Sequence, residues 1–596
     1  MNKIFALIVT ICIGSDFIPE NEKLLNYNQI FFKWPQINNS SMYRLYIDEF
    51  NIFNSNINSI IITDLQWDVS YEWYVCGFNN SDSLIECYDE FSFEINSLPN
   101  NFPDNINVLT LNDQQYNPGI TLLDFESLNF SLALDYLGNP VWYANRFNFS
   151  NSKILATQFL PNGNILGFAA GTGYEFNLDS EVVFQTPDEY DLHHSIIKSN
   201  NNTYFFIDAE IEYHPCPDCD IVSEIPWQGD RFIELDLNGS LLWEWNTFNH
   251  FSLDEYNPFW IESYEDGDEF DWTHSNSVFY DENFDIVYMS IRNLSRITAV
   301  DYSSKDLLWN LGNSEFMNEP FFENDFGFSH QHSAQITKDN TLLFFDNGRD
   351  NNPEISRCLE IDFNEDQSPY LLWEHILPDS LLSLSRGECD RLDNGNTLIS
   401  AGRTGNVIEV DVNNEIIWHL NVKTGNGIDV NIYRSERINN LYPLSFSYQI
   451  TNLIGEYGSY NINNNLDNIH LKIYNTGWID QLYNIELFNQ NELLLIEEIF
   501  VLSNENEDVV LDINLNAHSN YILNVYPYNN SDLNQMIHFS INYLIGDINN
   551  DDYVDLEDII FLINLILNNE IIGNADLNDD SSIDIFDIIL LVNIII

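Results

Sequence analysis

Basic residues are scarce. Only 21 Lys and Arg stand against 93 Asp and Glu in 596 residues, a formal net charge of −72 at pH 7 with histidine neutral. No stretch gathers the basic side chains into a patch, which argues against nucleic acid and anionic membrane surfaces as partners. The surplus of carboxylates suits solubility in a salty extracellular medium and a supply of cation ligands. Beyond the first residues, no apolar run is long enough to cross a bilayer without charges or Asn, so no transmembrane segment is expected. Cysteine (7) and histidine (12) are also sparse. Apolar residues are plentiful at 44%, with 41 Phe and 31 Tyr, which excludes wholesale disorder. The length exceeds what one core organises, so several domains are expected.

"MNKIFALIVTICIGS" opens with a lysine and an apolar stretch before small residues, the pattern of a signal peptide over 1–15 and hence of a secreted or periplasmic protein. Lipid attachment through Cys12 is the weaker reading, because Ile11 is bulky where a small residue is wanted. The other six cysteines form three local pairs, Cys76 with Cys87, Cys216 with Cys219, and Cys358 with Cys389. Export makes disulfides the default, although spacing alone does not fix connectivity. His214 beside Cys216 raises zinc, but no second Cys/His pair lies nearby to complete four ligands.

Residues 20–97 and 440–542 alternate apolar and polar positions in short runs, as strands of two sandwiches do. In the first, "FFKWP", "YRLYID" and "LQWDVSYEWYVCGFN" resemble a fibronectin type III module. Between them, over 105–435, six segments end in an apolar run with an aromatic: Trp142, Phe184, Trp243, Trp309, Trp373 and Trp418. Upstream in several units lies a further hairpin with Asn-Gly or Asp-Asn at its tip, as in "FLPNGNILGF" and "RLDNGNTLIS". Two hairpins per unit, six times over, predict a mostly β protein with a six-bladed β-propeller; stacked sandwiches are the alternative.

The last domain, 545–596, carries "DINNDDYVDLED" and "DLNDDSSIDIFD", each followed by a helix-compatible apolar run. Oxygen-bearing side chains at loop positions 1, 3, 5, 9 and 12 are what calcium needs, with a backbone carbonyl at position 7. The candidate ligands are Asp547, Asn549, Asp551, Tyr553, Asp555 and Asp558, then Asp576, Asn578, Asp580, Ser582, Asp584 and Asp587, for two Ca2+ sites. This pair resembles a type I dockerin, which implies calcium-dependent folding and, in some members, a cohesin-like partner. A self-contained calcium-stabilised cap is the other reading.

His194, His274 and His332 each lie seven residues before Asn201, Asp281 and Asp339, the expected hairpin tips, and Arg386 stands at the same offset from Asp393. Equivalent positions in successive blades converge on a propeller axis. Such a cluster binds either a transition metal through neutral imidazoles or an anion through N–H donors and fixed positive charge. Arg386 and Arg292 in "YMSIRNLSR" favour the anion. Strand alternation sends His193 and His194 to opposite faces and puts His330 on the face of His332.

The pieces "DLHH", "DWTHSNSV", "SIR", "QHSAQ…LLFFDNG" and "RLDNGNTLISAG" over about 130–430 resemble the bacterial arylsulfate sulfotransferases, exported six-bladed propellers. That resemblance implies transfer of a sulfuryl group from an aryl sulfate donor to a phenolic acceptor with no nucleotide cofactor. It makes His332 the nucleophile of a sulfohistidine route, with His274, Arg292 and His194 binding the sulfate oxygens or assisting proton transfer; beside that set, the residues' own placement offers His193, His330 and Arg386 as candidate substrate contacts. Hydrolysis with water as acceptor is a related activity. The alternatives from other classes are a noncatalytic propeller binding sulfated or anionic glycans and docking through its tail, and a metal-dependent propeller enzyme.

Overall fold

Short runs of alternating side chains broken by Asn, Asp and Gly become strands along nearly the whole chain, and the protein is mostly β. The structure, a computed structural model, describes all residues except 1–15, 49–50, 104, 218–223, 263–267, 319–320, 323, 463–467, 513–518, 529, 541–545, 550–552, 569–574, 579 and 581. The expected signal segment, the Cys216 with Cys219 pairing and Asp551 therefore lie outside the described residues.

Six sheets, each built on four antiparallel strands, follow one another from residue 120 to 438 in a propeller-like succession. Their innermost strands are Ile432–Ile438, Leu155–Phe159, Leu192–Lys198, Ser275–Asp281, His332–Ile336 and Glu388–Arg391, and each packs on the next until the last meets the first. The first sheet is completed by a strand that follows the sixth: Ile432–Ile438 pairs antiparallel with Ile120–Phe125. This closing strand runs past the boundary expected at 435. An extra strand, Asn105–Leu111, adds to the outer edge of the sixth sheet.

The repeated tip chemistry has a visible cause. Asp135, Asp236 and Asp411 each accept two backbone N–H bonds from the residues two and four positions on, at 2.8–2.9 Å. The turn this fixes needs a left-handed residue, supplied by Gly138, Gly239 and Asn414. The six repeated aromatics lie on outer strands and fasten each sheet to its successor. The indole N–H groups of Trp142, Trp243 and Trp418 donate to the carbonyls of Leu178, Tyr302 and Tyr136, in turns of the neighbouring sheets, at 2.8–2.9 Å. Phe184 stacks on Tyr204 at 3.8 Å, Trp309 meets Phe363 at 5.4 Å, and Arg391 lies over Trp373 at 4.7 Å. The contact from Trp418 to Tyr136 joins the sixth sheet to the first.

The N-terminal strands form a six-stranded sheet and a two-stranded ladder around Phe32, Trp34 and Trp73. The C-terminal sandwich pairs a three-stranded with a six-stranded sheet over Ile473, Tyr483 and Leu523. Beyond it, helices Leu556–Asn568 and Ile585–Ile595 pack through Leu562, Leu565 and Leu591. Among the described residues the disulfides Cys76–Cys87 and Cys358–Cys389 are seen. Among the described residues no helix is long and apolar enough to cross a membrane.

Candidate active site

Left-handed backbone marks the start of the inner strands. His194 (φ 62°), His274 (φ 47°), Ser333 (φ 51°) and Arg386 (φ 65°) all adopt it, at a cost of roughly 1–2 kcal/mol each for a residue with a Cβ. Register shifts accompany three of them, between His193 and Ile196, Ser275 and Ser277, and His332 and Gln335. These bulges bring the histidines together where regular alternation would not. The equal offsets do not correspond to equal backbone: Asp281 ends its strand rather than forming the tip, and in the fifth sheet the left-handed residue is Ser333, one past His332.

The imidazoles of His194 and His274 lie 4.7 Å apart, and Tyr433, on the closing strand, packs against both His332 (5.0 Å) and His194 (5.9 Å). His332 Nδ1 donates to the carbonyl of Gly387 at 2.9 Å. A carbonyl only accepts, so this bond fixes the tautomer and leaves the lone pair on Nε2. Burial, then Arg434 nearby, holds His332 well below the ordinary imidazole pKa, so the ring is neutral. His274 Nδ1 meets Asp271 Oδ2 at 2.5 Å, which leaves Nε2 out of that contact.

His193 and His194 face each other through their Nδ1 atoms at 2.6 Å, so one must donate. His193 Nε2 lies 3.0 Å from Asp230 Oδ1, close enough for an ion pair although the angle is poor for a hydrogen bond. Burial lowers the His193 pKa, but Asp230 outweighs it and the net shift is upward. His194 is pushed far down, by burial first and then by His274 and His193. A protonated His193 donates to His194 Nδ1, which turns His194 Nε2–H towards the channel. Among the described residues the Nε2 atoms of His194, His274 and His332 have no hydrogen-bond partner.

Arg292, in the turn between the second and third strands of the fourth sheet, is 5% exposed and has no carboxylate at ion-pair distance among the described residues. Its guanidinium donates to Asn293 Oδ1 at 2.7 Å and lies 4.9 Å from the ring of Trp260. Burial brings it down to about 10.

The other expected residues fall around this group. His193 supports His194 from behind. His330 lies before the strand in left-handed backbone, so alternation does not govern it. It is buried, 5.7 Å from Trp260 and 3.3 Å from Asp350, with neither ring nitrogen in a hydrogen bond, and burial drives its pKa to about 2. Arg386 is engaged by Glu126 and by Ser385 Oγ, rather than facing the imidazoles unpaired. Sequence reasoning missed Tyr433, Arg434, Asp271, Gly387 and Trp260. Asp271 alone carried a local signal, three residues before His274 in "DWTH".

The two acidic loops before the C-terminal helices show hard oxygen donors, which suit calcium in kind. Both carboxylate oxygens of Asp558 and Asp587 accept loop N–H groups, from Ile548 and Asp555 and from Leu577 and Asp584, at 2.7–2.9 Å. Asp584 caps its helix in a capping box with Asp587. Among the described residues no three His, Cys, Asp or Glu side chains are gathered so as to hold a metal ion, in the loops or in the channel.

Residues 95–367 match the family model described as Arylsulfotransferase (ASST). The matched stretch contains His193, His194, His274, Arg292, His330 and His332 and ends before Arg386 and Tyr433. No curated protein matches the chain. Solved structures similar to it include the extracellular domain of a hybrid two-component system from B. thetaiotaomicron, at 10% identity over 87% of this chain and 77% of that one, with a TM-score of 0.26. Dihydro-heme d1 dehydrogenase NirN is similar at 9% identity over 68% and 77%, TM-score 0.26. A luciferin-regenerating enzyme is similar at 11% over 52% and 90%, TM-score 0.25. At such scores these likenesses carry no argument about fold or function.

Proposed function

We propose that the ring of sheets is a six-bladed β-propeller that moves a sulfuryl group from an aryl sulfate to a phenol through His332. One observation carries this reading: among the described residues a buried guanidinium, Arg292, has no carboxylate at ion-pair distance, and it lies beside three imidazoles whose Nε2 atoms have no hydrogen-bond partner. The match over 95–367 supports the reaction class.

In the first half-reaction Nε2 of His332 attacks sulfur, the N–S bond forms as the bond from sulfur to the aryl oxygen breaks, and the phenolate takes a proton from His274, whose Nδ1 faces Asp271. The Gly387 carbonyl faces the positive charge that develops on the His332 ring. Arg292 and His194 Nε2–H hold the sulfuryl oxygens, donors of the kind whose single removal costs about 2.7–4 kcal/mol of barrier stabilisation. In the second half-reaction the acceptor phenol returns a proton to His274, its oxygen attacks sulfur, and the N–S bond breaks to restore neutral His332. Water in the acceptor's place gives hydrolysis. Trp260, under Arg292, offers a flat wall for the aryl ring.

The test is peptide mass spectrometry after brief exposure to p-nitrophenyl sulfate. A sulfuryl adduct on the peptide containing His332 is expected in the wild type and absent in His332→Ala. No adduct and no released nitrophenol from the wild type would leave a propeller that holds an anion without transforming it.

Export, a fibronectin type III-like module over 20–97 and a dockerin-like domain over 545–596 belong to the same proposal. In that domain Asp547, Asn549, Asp555 and Asp558, then Asp576, Asn578, Asp580, Asp584 and Asp587, would hold calcium, which would tie each loop to its helix. Exposed Ile560, Phe586 and Ile589 give a cohesin-like partner an apolar face to cover.

A further inference from the structure

A second cavity, of about 350 Å3, lies outside the ring between the N-terminal module and the C-terminal sandwich. Lys33 and Trp34 wall one side, and Tyr448, Tyr457, Tyr460 and His538 the other. The modules are locked together there. Gln36 Nε2 donates to the Ile450 carbonyl at 2.9 Å, Ile450 N donates back to Gln36 Oε1 at 2.8 Å, and Ser59 Oγ donates to Ser447 Oγ at 3.0 Å. The cavity is therefore preformed, in the kind of inter-module position that ligand sites favour.

Lys33 ends strand Ile30–Lys33, and its backbone exchanges two hydrogen bonds with Ile18, both 2.9 Å. The residue is 5% exposed, and its Nζ makes no ion pair or hydrogen bond among the described residues. Asp16 is the carboxylate whose field reaches it, and that carboxylate accepts from Tyr457 OH at 2.6 Å. Two more buried polar atoms beside it, Trp34 Nε1 and Asn58 Oδ1, have no hydrogen-bond partner among the described residues. A buried ammonium without a directly bonded counter-ion is costly, and an anion entering the cavity would relieve that cost. Burial holds the Lys33 pKa down to about 8, so the cation persists at neutral pH and is lost in mild alkali.

We infer that this cavity binds a carboxylate carried on a six-membered ring, the carboxylate against Lys33 Nζ and the ring against the tyrosines. The aromatic walls take a flat face, whether of an arene or of a sugar, and the volume suits a single substituted ring. An aromatic acid and a uronic acid are two sources of that chemistry. The titratable groups facing Lys33 are Asp16, Tyr448, Tyr457, Tyr460 and His538.

Calorimetry on the full chain with benzoate and with galacturonate, against benzyl alcohol and galactose, tests this. One acid should saturate a single site per chain at least about tenfold more tightly than its neutral counterpart, and which acid does so identifies the source. Binding should weaken at pH 9.5, where Lys33 has lost its proton, vanish in Lys33→Gln and survive in His332→Ala. If neither acid binds, if Lys33→Gln binds as well as the wild type, or if His332→Ala removes binding, the inference fails. Should Lys33→Gln not fold, the wild type with 13C-methylated lysines serves instead. The Lys33 resonance must titrate near 8 and move upward with the acid, and a resonance indifferent to both acids overturns the assignment.

Discussion

Burial decides which imidazoles of the cluster are neutral and which is charged. His332 and His194 are desolvated beside cations and beside one another, so both stay neutral, whereas His193 has Asp230 to hold its proton. Arg292, pulled down by burial to about 10, loses its charge on the alkaline side. The burst of nitrophenol from p-nitrophenyl sulfate, whose leaving group needs little protonation, should therefore show no acid limb near pH 6.5 and should fall as pH rises towards 10. A stopped-flow pH profile of the burst checks both limbs, and an acid limb at the ordinary imidazole value would show that His332 is not held neutral. The three repeat histidines were legible because hairpin spacing recurs. Tyr433 and Gly387 were not, because one lies on a closing strand with no hairpin tip after it and the other acts through its carbonyl, which no side-chain pattern reveals.

Among elements, the six outer aromatics and the Asp-led turns made the succession of sheets readable, since an aromatic fastens each sheet to its successor and the same turn recurs in three of the units. The closing strand was not readable, because its partner lies more than 300 residues upstream. The Cys358–Cys389 disulfide ties the third strand of the fifth sheet to the inner strand of the sixth, two residues from the Gly387 carbonyl that orients His332. Its loop of 31 residues predicts a loss of roughly 3–4 kcal/mol on Cys358→Ala with Cys389→Ala. Because Gly387 loosens with the strand, the burst rate should fall as well, which urea unfolding and the nitrophenol burst measure separately; loss of stability with an unchanged burst would detach the bridge from the site. The calcium loops belong to a different element. Chelation with EGTA should lower the helical circular dichroism of helices Leu556–Asn568 and Ile585–Ile595 and leave the burst intact, while an unchanged spectrum would remove calcium from the folding of this domain.

At the scale of the molecule, a net charge of −72 repels an anionic donor of the kind proposed here. Four of the 21 basic residues, Arg292, Arg349, Arg386 and Arg434, act on the channel cluster, so attraction is local and repulsion long-range. Salt separates the two, because the screening length shrinks from about 30 Å at 0.01 M to about 10 Å at 0.1 M while partly buried pairs are screened much less. Over that range kcat/KM for an aryl sulfate should rise, by on the order of tenfold or less, since distant carboxylates are screened before the arginines in the channel are. The step with a neutral phenol should stay flat. Steady-state kinetics at fixed pH, with sodium chloride compared against choline chloride in EGTA, isolates screening from any specific cation. A fall in kcat/KM on adding salt would mean that the local arginines, and not the surrounding carboxylates, set the field that the donor meets on approach.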